Sequence, residues 1–483
     1  MRHPTGIQYH LHSNPYESRQ RLMANRQSLI KATIARLKQA LTHLPHEEVG
    51  PFSITLSTPE LQLHHLPHLD NNWFYWGEPS HRHYRLGLGE ALRLSSIGPL
   101  RLQQLSDQFE RVRSNWIQID PDCTGLQASA FTGFAFDPED PMLQSWEGLP
   151  NAAIFLPELL LHQTAEMCAI TFSFAHKDLT RATLRSQHLL QKLIDALGAN
   201  PDPNPVPTRF SRTATTPSDD EWITQVNKAT HSIREGTMDK VVPFRRISVQ
   251  ASQPFNPARL MASLDDLHPS SILFSIRVDG STFAAATPEH LLSRQGHLIS
   301  CDAIGGTIKR SPNPVDDTNL GKTLINDPKS RHEHALVVKG ILGSLKKHCC
   351  KLTSPTGPSL KRLRNLQHLW TGIKGELWED TTLLRVADDL HPTAAVSGFP
   401  SANAQRWLDD HKNTTRGWYT GAAGWIDIQG DGELAVLLRC ALLNGEHAEL
   451  FAGAGVTSES CPIAELQETE LKFGTMLEAL EHA

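Results

Sequence analysis

Residues 271–307 read SILFSIRVDGSTFAAATPEHLLSRQGHLISCDAIGGT, and this stretch decides the fold class. It breaks at turn formers into SILFSIRVD, STFAAATPEHLLSR and HLISCDAIGGT. Each is rich in alternating or β-branched apolar residues, the pattern of strands rather than helices. With KVVPFRRISVQ (240–250) just upstream, these segments are expected to be antiparallel neighbours. The last third repeats the pattern in GWYTGAAGWIDI (417–428), GELAVLLRCALL (432–443) and AELFAGAGV (448–456).

Helices are expected between these runs. Ser218 and Glu221 have capping-box spacing, and Trp222, Val226, Ala229 and Ile233 form a helical stripe that Gly236 can end, which predicts a helix over about 219–235. Asp327 followed by Pro328 is a helix start, because the side chain caps exposed amides and proline sits where no donor is needed. That helix carries Glu333 and runs toward Ser344, and a final helix from about Ile463 carries Glu465 and Glu468. Runs of strands with helices clustered between them argue for an α+β fold with large antiparallel sheets.

Farther out, PFSITLSTPEL, NWFYWGEP, HYRLGLGEAL and NAAIFLPELLLH read as strands or short buried runs, and ATLRSQHLLQKLIDALG as a helix. GLGEA lacks the full glycine fingerprint of a nucleotide site and is read as a turn. The first 45 residues are basic, with Leu22, Leu29, Ile30, Ile34, Leu37, Leu41 and Leu44 at helical spacing, and Pro45 ends the pattern. An amphipathic core-packing helix is preferred there to a transit peptide. In LGANPDPNPVPTRFSRTATTPSDDEW, Pro201, Pro203, Pro205 and Pro207 favour extended backbone. A boundary is therefore placed near 215, dividing the chain into a first part (1–215) and a second (216–483).

The 483 residues suffice for a large core. Their 46 basic and 52 acidic residues are interspersed, net −6, so there is no electrostatic footprint for nucleic acid or an anionic membrane. With no apolar run of about 18 residues and no secretory apolar core, a soluble, cytoplasmic protein is expected. The seven cysteines show no CxxC spacing and are read as free thiols of a reducing compartment.

Glu465 and Glu468 are three apart, so on a helix both carboxylates leave nearly the same face. Magnesium keeps several waters and takes one or two protein carboxylates plus oxygens of an anionic substrate. Glu333 and Glu468 fit that role, with Glu465 just outside. Taken alone, Glu468 and Lys472 equally have the spacing of a surface ion pair. Lys240 opens an apolar run. To act as a base it must shed its proton, which burial or a nearby cation such as Arg245 would favour; taken alone, it is a guard charge at a strand edge. Glu289 in TPEHLL would be an acid if set among apolar neighbours, and a turn residue in water otherwise. The glycines of DAIGGT and FAGAGV suit close approach to a carboxylate, and tight turns as well. His332 and His334 flank Glu333 without HExxH spacing and are not assigned to metal.

Together these segments resemble the chorismate-utilising enzymes, and within them the isochorismate synthases. The resemblance runs from about 215 to the C-terminus through KVV..R, PEHLL, GGT, RHEH, LHPTAAVSGFP, RGWYTGAAGW, LLRCALL, FAGAGV and ELQETELK, in the family's order. It implies a two-sheet antiparallel sandwich flanked by helices, with the site in a C-terminal cleft. It also implies a Mg²⁺-dependent isomerase that converts chorismate to isochorismate. Lys240 matches the base that activates water for attack at C2, and Glu289 the acid that protonates the departing C4 hydroxyl. Glu333 and Glu468 match the magnesium ligands, with Glu465 nearby. Tyr419, Arg439, Gly455 and Lys472 match positions gripping the substrate's carboxylates, and Thr307 and His391 match polar groups lining the ring.

Lys240 separates this chain from the anthranilate synthases, which usually carry glutamine there, use ammonia and rely on a glutamine amidotransferase. Water, no amidotransferase partner and a monomer are expected. Three departures from the family are Gly305 for alanine, Ala394 for the second proline of HPTPA, and Pro243 within the strand after Lys240. The alternatives are a salicylate synthase, which goes on to eliminate pyruvate, and an inactive chorismate-binding regulatory protein. The resemblance leaves the downstream pathway open among menaquinone, siderophore and other salicylate products.

Overall fold

The computed structural model describes residues 15–42, 51–59, 61–63, 65–69, 72–175, 179–199 and 207–483, with side chains from residue 25 onward except that of Leu179. Two large sheets dominate. The first runs in the order Phe210–Thr216, Phe244–Ala251, His447–Gly453, Cys440–Asn444, Ser281–Thr287, Ile272–Val278, then Trp73–Glu78, His83–Leu88, Leu159–Gln163, Cys168–Phe174, Phe52–Ser57 and Ile117–Ile119. The second runs Cys349–Thr353, Leu366–Leu377, Leu298–Lys309, His290–Gln295, Gly432–Val436, Ala422–Asp427, Ser129–Phe134, Ala152–Leu156 and Leu92–Ser96.

The α+β, two-sheet reading holds, with one amendment. At the edge of the first sheet, Phe52–Ser57 and Ile117–Ile119 run parallel, Ile54 facing Ile119. Strands from both sides of residue 215 share both sheets: Tyr75 is paired with Ser275, and Thr132 with Gly424. Residue 215 itself lies in the edge strand Phe210–Thr216, while Pro201, Pro203 and Pro205 lie outside the described residues.

Many of these strands are buried on both faces, which is why they read as nearly continuous apolar runs. In Trp73–Glu78, Phe74 and Trp76 pack between the sheets against Phe131, Phe274 and Trp418, whereas Trp73 and Tyr75 face the other way. That outer face is covered by helices Pro15–Leu41, Leu179–Leu197, Pro257–Leu267 and Pro462–Leu480. Helices Arg101–Arg113, Pro328–Leu345 and Leu383–Leu390 cover the outer face of the second sheet. The layers are therefore helix, sheet, sheet, helix. Ile30, Ile34 and Leu37 anchor the first helix in the core, with Leu29 and Leu41 beside them. Leu44, Pro45 and the Leu22 side chain lie outside the described residues.

Local signals fix the helices that matter for the site. Ser218 and Glu221 form the expected capping box of Asp219–Arg234, and Gly236 follows at φ +80°. Asp327 accepts the Ser330 N–H at 2.8 Å and starts Pro328–Leu345. Among the described residues no helix is long and apolar enough to cross a membrane, and Cys123, Cys301, Cys349, Cys350, Cys440 and Cys461 form no disulfide.

Candidate active site

Lys240 does not belong to the strand that follows it. Pro243 carries no N–H and interrupts the run, so Lys240–Val241 is a separate short strand paired with Gly398–Phe399, and the sheet strand begins at Phe244. Gly398 sits at φ +140°, and a Cβ there would collide with the Lys240 carbonyl. This detour takes Lys240 out of the strand-edge setting and buries it to 1% exposure.

Its ammonium meets the Glu333 carboxylate, Nζ to Oε1 2.9 Å. Gly455 makes the meeting possible, because a Cβ there would lie 2.6 Å from Glu333 Oε1 and 3.0 Å from Lys240 Cε. Burial pushes the Glu333 carboxyl up, but Lys240, with Lys472 and Lys329, outweighs it and holds the pKa below the usual range. Arg245 is not the neighbouring cation expected. It is buried on another side, bonded to Asp219, Glu470 and Thr469.

The last helix brings two more carboxylates. Glu468 pairs with Lys472 at 2.6 Å, and Lys472 also donates to the Gly453 carbonyl at 2.8 Å. The i, i+4 ion pair read from spacing is thus real, and it sits in the cleft rather than on an open face. Glu465 is buried and pairs with Lys329 at 3.0 Å; burial first, then the like charge of Glu468, pushes its pKa up. Among the described residues no three His, Cys, Asp or Glu side chains form a ready-made cation cage. Two carboxylates converging from separate helices, crowded by a third, suit a hard divalent cation that completes its shell with water and substrate oxygens.

Glu289 follows Pro288 at the end of Ser281–Thr287 and is 4% exposed. Burial, then Asp302, pushes its pKa up to about 7, against the opposing pull of Lys240, Lys361 and Arg439. The carboxyl is therefore a mostly protonated acid below neutrality and shares its population between the two forms near pH 7. It lines one pocket with Thr307, Glu333, Tyr419, Arg439, Gly455, Glu468 and Lys472. Arg439 is buried at φ +48°, and Tyr419 packs on Phe244 and Phe451 with ring centroids 5.6 and 5.4 Å away.

His391 is not brought to this wall. Its Nε2 lies 2.8 Å from the Thr420 carbonyl and its ring meets Phe134 edge-on at 5.1 Å, so it stands behind Thr420, which does line the pocket. The histidine that lines the pocket is His368, which the sequence reading missed. Its Nδ1 is 3.0 Å from Thr307 Oγ1, and its buried Nε2 has no partner. Burial first, then Arg439 and Lys472, lowers its pKa to about 3, leaving a neutral ring. The only sequence signal was a histidine in the apolar run LQHLW. His334 is spent on Thr371 Oγ1 at 2.8 Å.

The DAIGGT glycines serve packing as well as access. The strand bulges between Gly305 and Thr307 opposite Leu366–Leu377, and a Cβ on Gly305 would lie 3.3 Å from His334 Cα. Gly306 is at φ +73°, and a Cβ there would lie 3.0 Å from the Ser330 Cβ. Small residues here let the strand press on the helix that presents Glu333. Ala394, also a departure from the family pattern, packs toward Gly340 of that helix, where an added Cβ would lie 3.7 Å from the Ala394 Cβ.

Against this geometry the comparisons are specific. An isochorismate synthase of Bacillus subtilis (strain 168), MenF, is 32% identical over 418 residues, covering 85% of this chain and 88% of its own length. A salicylate biosynthesis isochorismate synthase of Pseudomonas aeruginosa is 32% identical over 410 residues, 84% of each chain. The structure of the menaquinone-specific isochorismate synthase MenF from Escherichia coli superposes with a TM-score of 0.79, covering 94% of this chain and 100% of that one; at 24% identity it speaks to the fold alone. The family model described as chorismate binding enzyme matches residues 38–481, and the chain belongs to that family.

Proposed function

We propose that this chain is an isochorismate synthase, a Mg²⁺-dependent isomerase converting chorismate to isochorismate. The observation that carries the reading is one pocket in which a neutral, buried Glu289 stands with Glu333, itself in contact with the buried Lys240. Relatives named isochorismate synthase along most of the chain support it.

Lys240 is the base. It accepts a proton from water as the oxygen bonds to ring carbon C2, the ring double bonds shift, and the C4–O bond breaks. Glu289 delivers its proton to that oxygen, which leaves as water. The proton balance is closed, since one is taken up by the lysine and one released by the glutamic acid. Arg439 and Lys472 meet the carboxylates of the dianion, and Tyr419 and Gly455 shape their seats. Thr307, with His368 behind its hydroxyl, faces the ring. Glu333 and Glu468 would hold Mg²⁺, with Glu465 alongside; when bound, the ion supplies positive charge to the ring carboxylate. The reading carries with it a cytoplasmic monomer without an amidotransferase partner.

Incubating the purified chain with chorismate and Mg²⁺ and separating the products tests it. Isochorismate is expected. Salicylate with pyruvate would make the chain a salicylate synthase, and binding of chorismate without turnover would support an inactive regulatory protein.

A further inference from the structure

Each carboxylate of the cluster has its own ammonium: Glu333 has Lys240, Glu468 has Lys472 and Glu465 has Lys329. The three lysines are not equivalent. Lys240 is enclosed at 1% exposure, and Lys472 is tied to the Gly453 carbonyl as well as to Glu468. The Lys329 side chain is 36% exposed, while that of its partner Glu465 is only 3% exposed. Lys329 is attracted by Glu465 and also by Glu333 and Glu468, so one ammonium serves carboxylates from two helices.

Its place in the chain is unfavourable for a lysine. It follows Pro328 in the first turn of Pro328–Leu345, where the positive end of the helix dipole disfavours a cation. Glu465, by contrast, lies in the first turn of Pro462–Leu480, where a negative charge is favoured. A buried Glu465 left without a cation would be costly, and Lys329 on its flexible stem supplies one that can also swing out into water.

We propose that Lys329 is a built-in cation that stands over the carboxylate cluster in place of the divalent ion, so that metal must displace it from Glu465 and Lys329 sets the metal affinity. The inference rests on the proposed metal role of Glu333 and Glu468. Lys329 is a positioning residue, acting through Glu465 and not on the substrate. Without its charge, no ammonium competes with the ion for Glu465 and the protein binds metal more tightly.

The test is a titration of the full chain with Mn²⁺, without chorismate, following the free ion by electron paramagnetic resonance. Lys329→Met is expected to tighten Mn²⁺ binding about tenfold, and Lys329→Arg to leave it unchanged. Combining Lys329→Met with Glu465→Gln must abolish the gain, giving the affinity of Glu465→Gln alone. Lys329→Gln, which keeps a hydrogen bond to Glu465 without the charge, must tighten binding as Lys329→Met does, which guards against a folding defect in either variant. Unchanged or weaker binding in both, with Glu333→Gln still weakening it, overturns the inference and leaves the functional reading standing. No saturable uptake by any of these proteins overturns the metal role and the inference together.

Discussion

Lys240 and Glu333 lie 93 positions apart in sequence, and their side chains meet at 2.9 Å inside the cleft. Both partners are held by backbone that admits no alternative: Pro243 turns Lys240 out of the sheet, and Gly455 leaves the gap the pair occupies. A contact this enclosed ties stability and chemistry to the same two residues.

Lys240→Ala lowers kcat by about a thousandfold, the middle of the range for a lost general base. It also leaves Glu333 without its nearest cation, costing about 1–3 kcal/mol of stability. Thermal unfolding and chorismate binding, measured together with turnover, separate the two effects. Turnover unchanged by the substitution would refute the base.

Glu289 sets a pH limit. Its carboxyl must carry a proton to act, and burial holds its pKa at about 7, so activity falls as pH rises through about 7. Stability moves in the same direction. Because the folded pKa is raised above the ordinary 4.5, the neutral form's contribution is fully present below about pH 4.5 and is lost as pH rises through 7, by about 3 kcal/mol in all. Glu289→Gln removes that slope. Denaturant unfolding of the two proteins at pH 4.5 and pH 8 is the measurement, and parallel pH dependences would contradict it.

Gly455→Ala puts a methyl group where the Lys240–Glu333 pair now sits, 2.6 Å from the carboxylate oxygen. The pair must part, and an activity loss of about a hundredfold is expected with the fold intact. Steady-state kinetics alongside circular dichroism check this.

His368 and His391 make a controlled comparison, since both are neutral rings and His368 lines the pocket while His391 stands behind Thr420. His368→Gln is expected to raise KM by about tenfold by disturbing Thr307, whereas His391→Gln chiefly lowers the melting temperature. Equal kinetic effects would put His391 back on the wall.

What the sequence makes legible is what short-range chemistry controls. The capping box at Ser218, the Asp327–Pro328 start and the two-faced strands are all local patterns, and each is found in place. The ordered motifs carry the family in the sequence itself. What stayed hidden was long-range. No local pattern says that Arg245 turns to Asp219 and Glu470 instead of Lys240, or that His368 rather than His391 reaches the cleft. The glycines of DAIGGT were ambiguous because their neighbour, the helix carrying Glu333, comes from about two dozen residues downstream. The parallel edge pair joins segments more than 60 positions apart.

The central claim is that the buried lysine delivers water to C2. Conversion of chorismate in H₂¹⁸O with Mg²⁺, read by mass spectrometry of the product, measures this directly. Isochorismate carrying one ¹⁸O at C2, formed about a thousandfold more slowly with Lys240→Ala, is the predicted result; isochorismate without the label, or labelled product formed at an undiminished rate by Lys240→Ala, would contradict it.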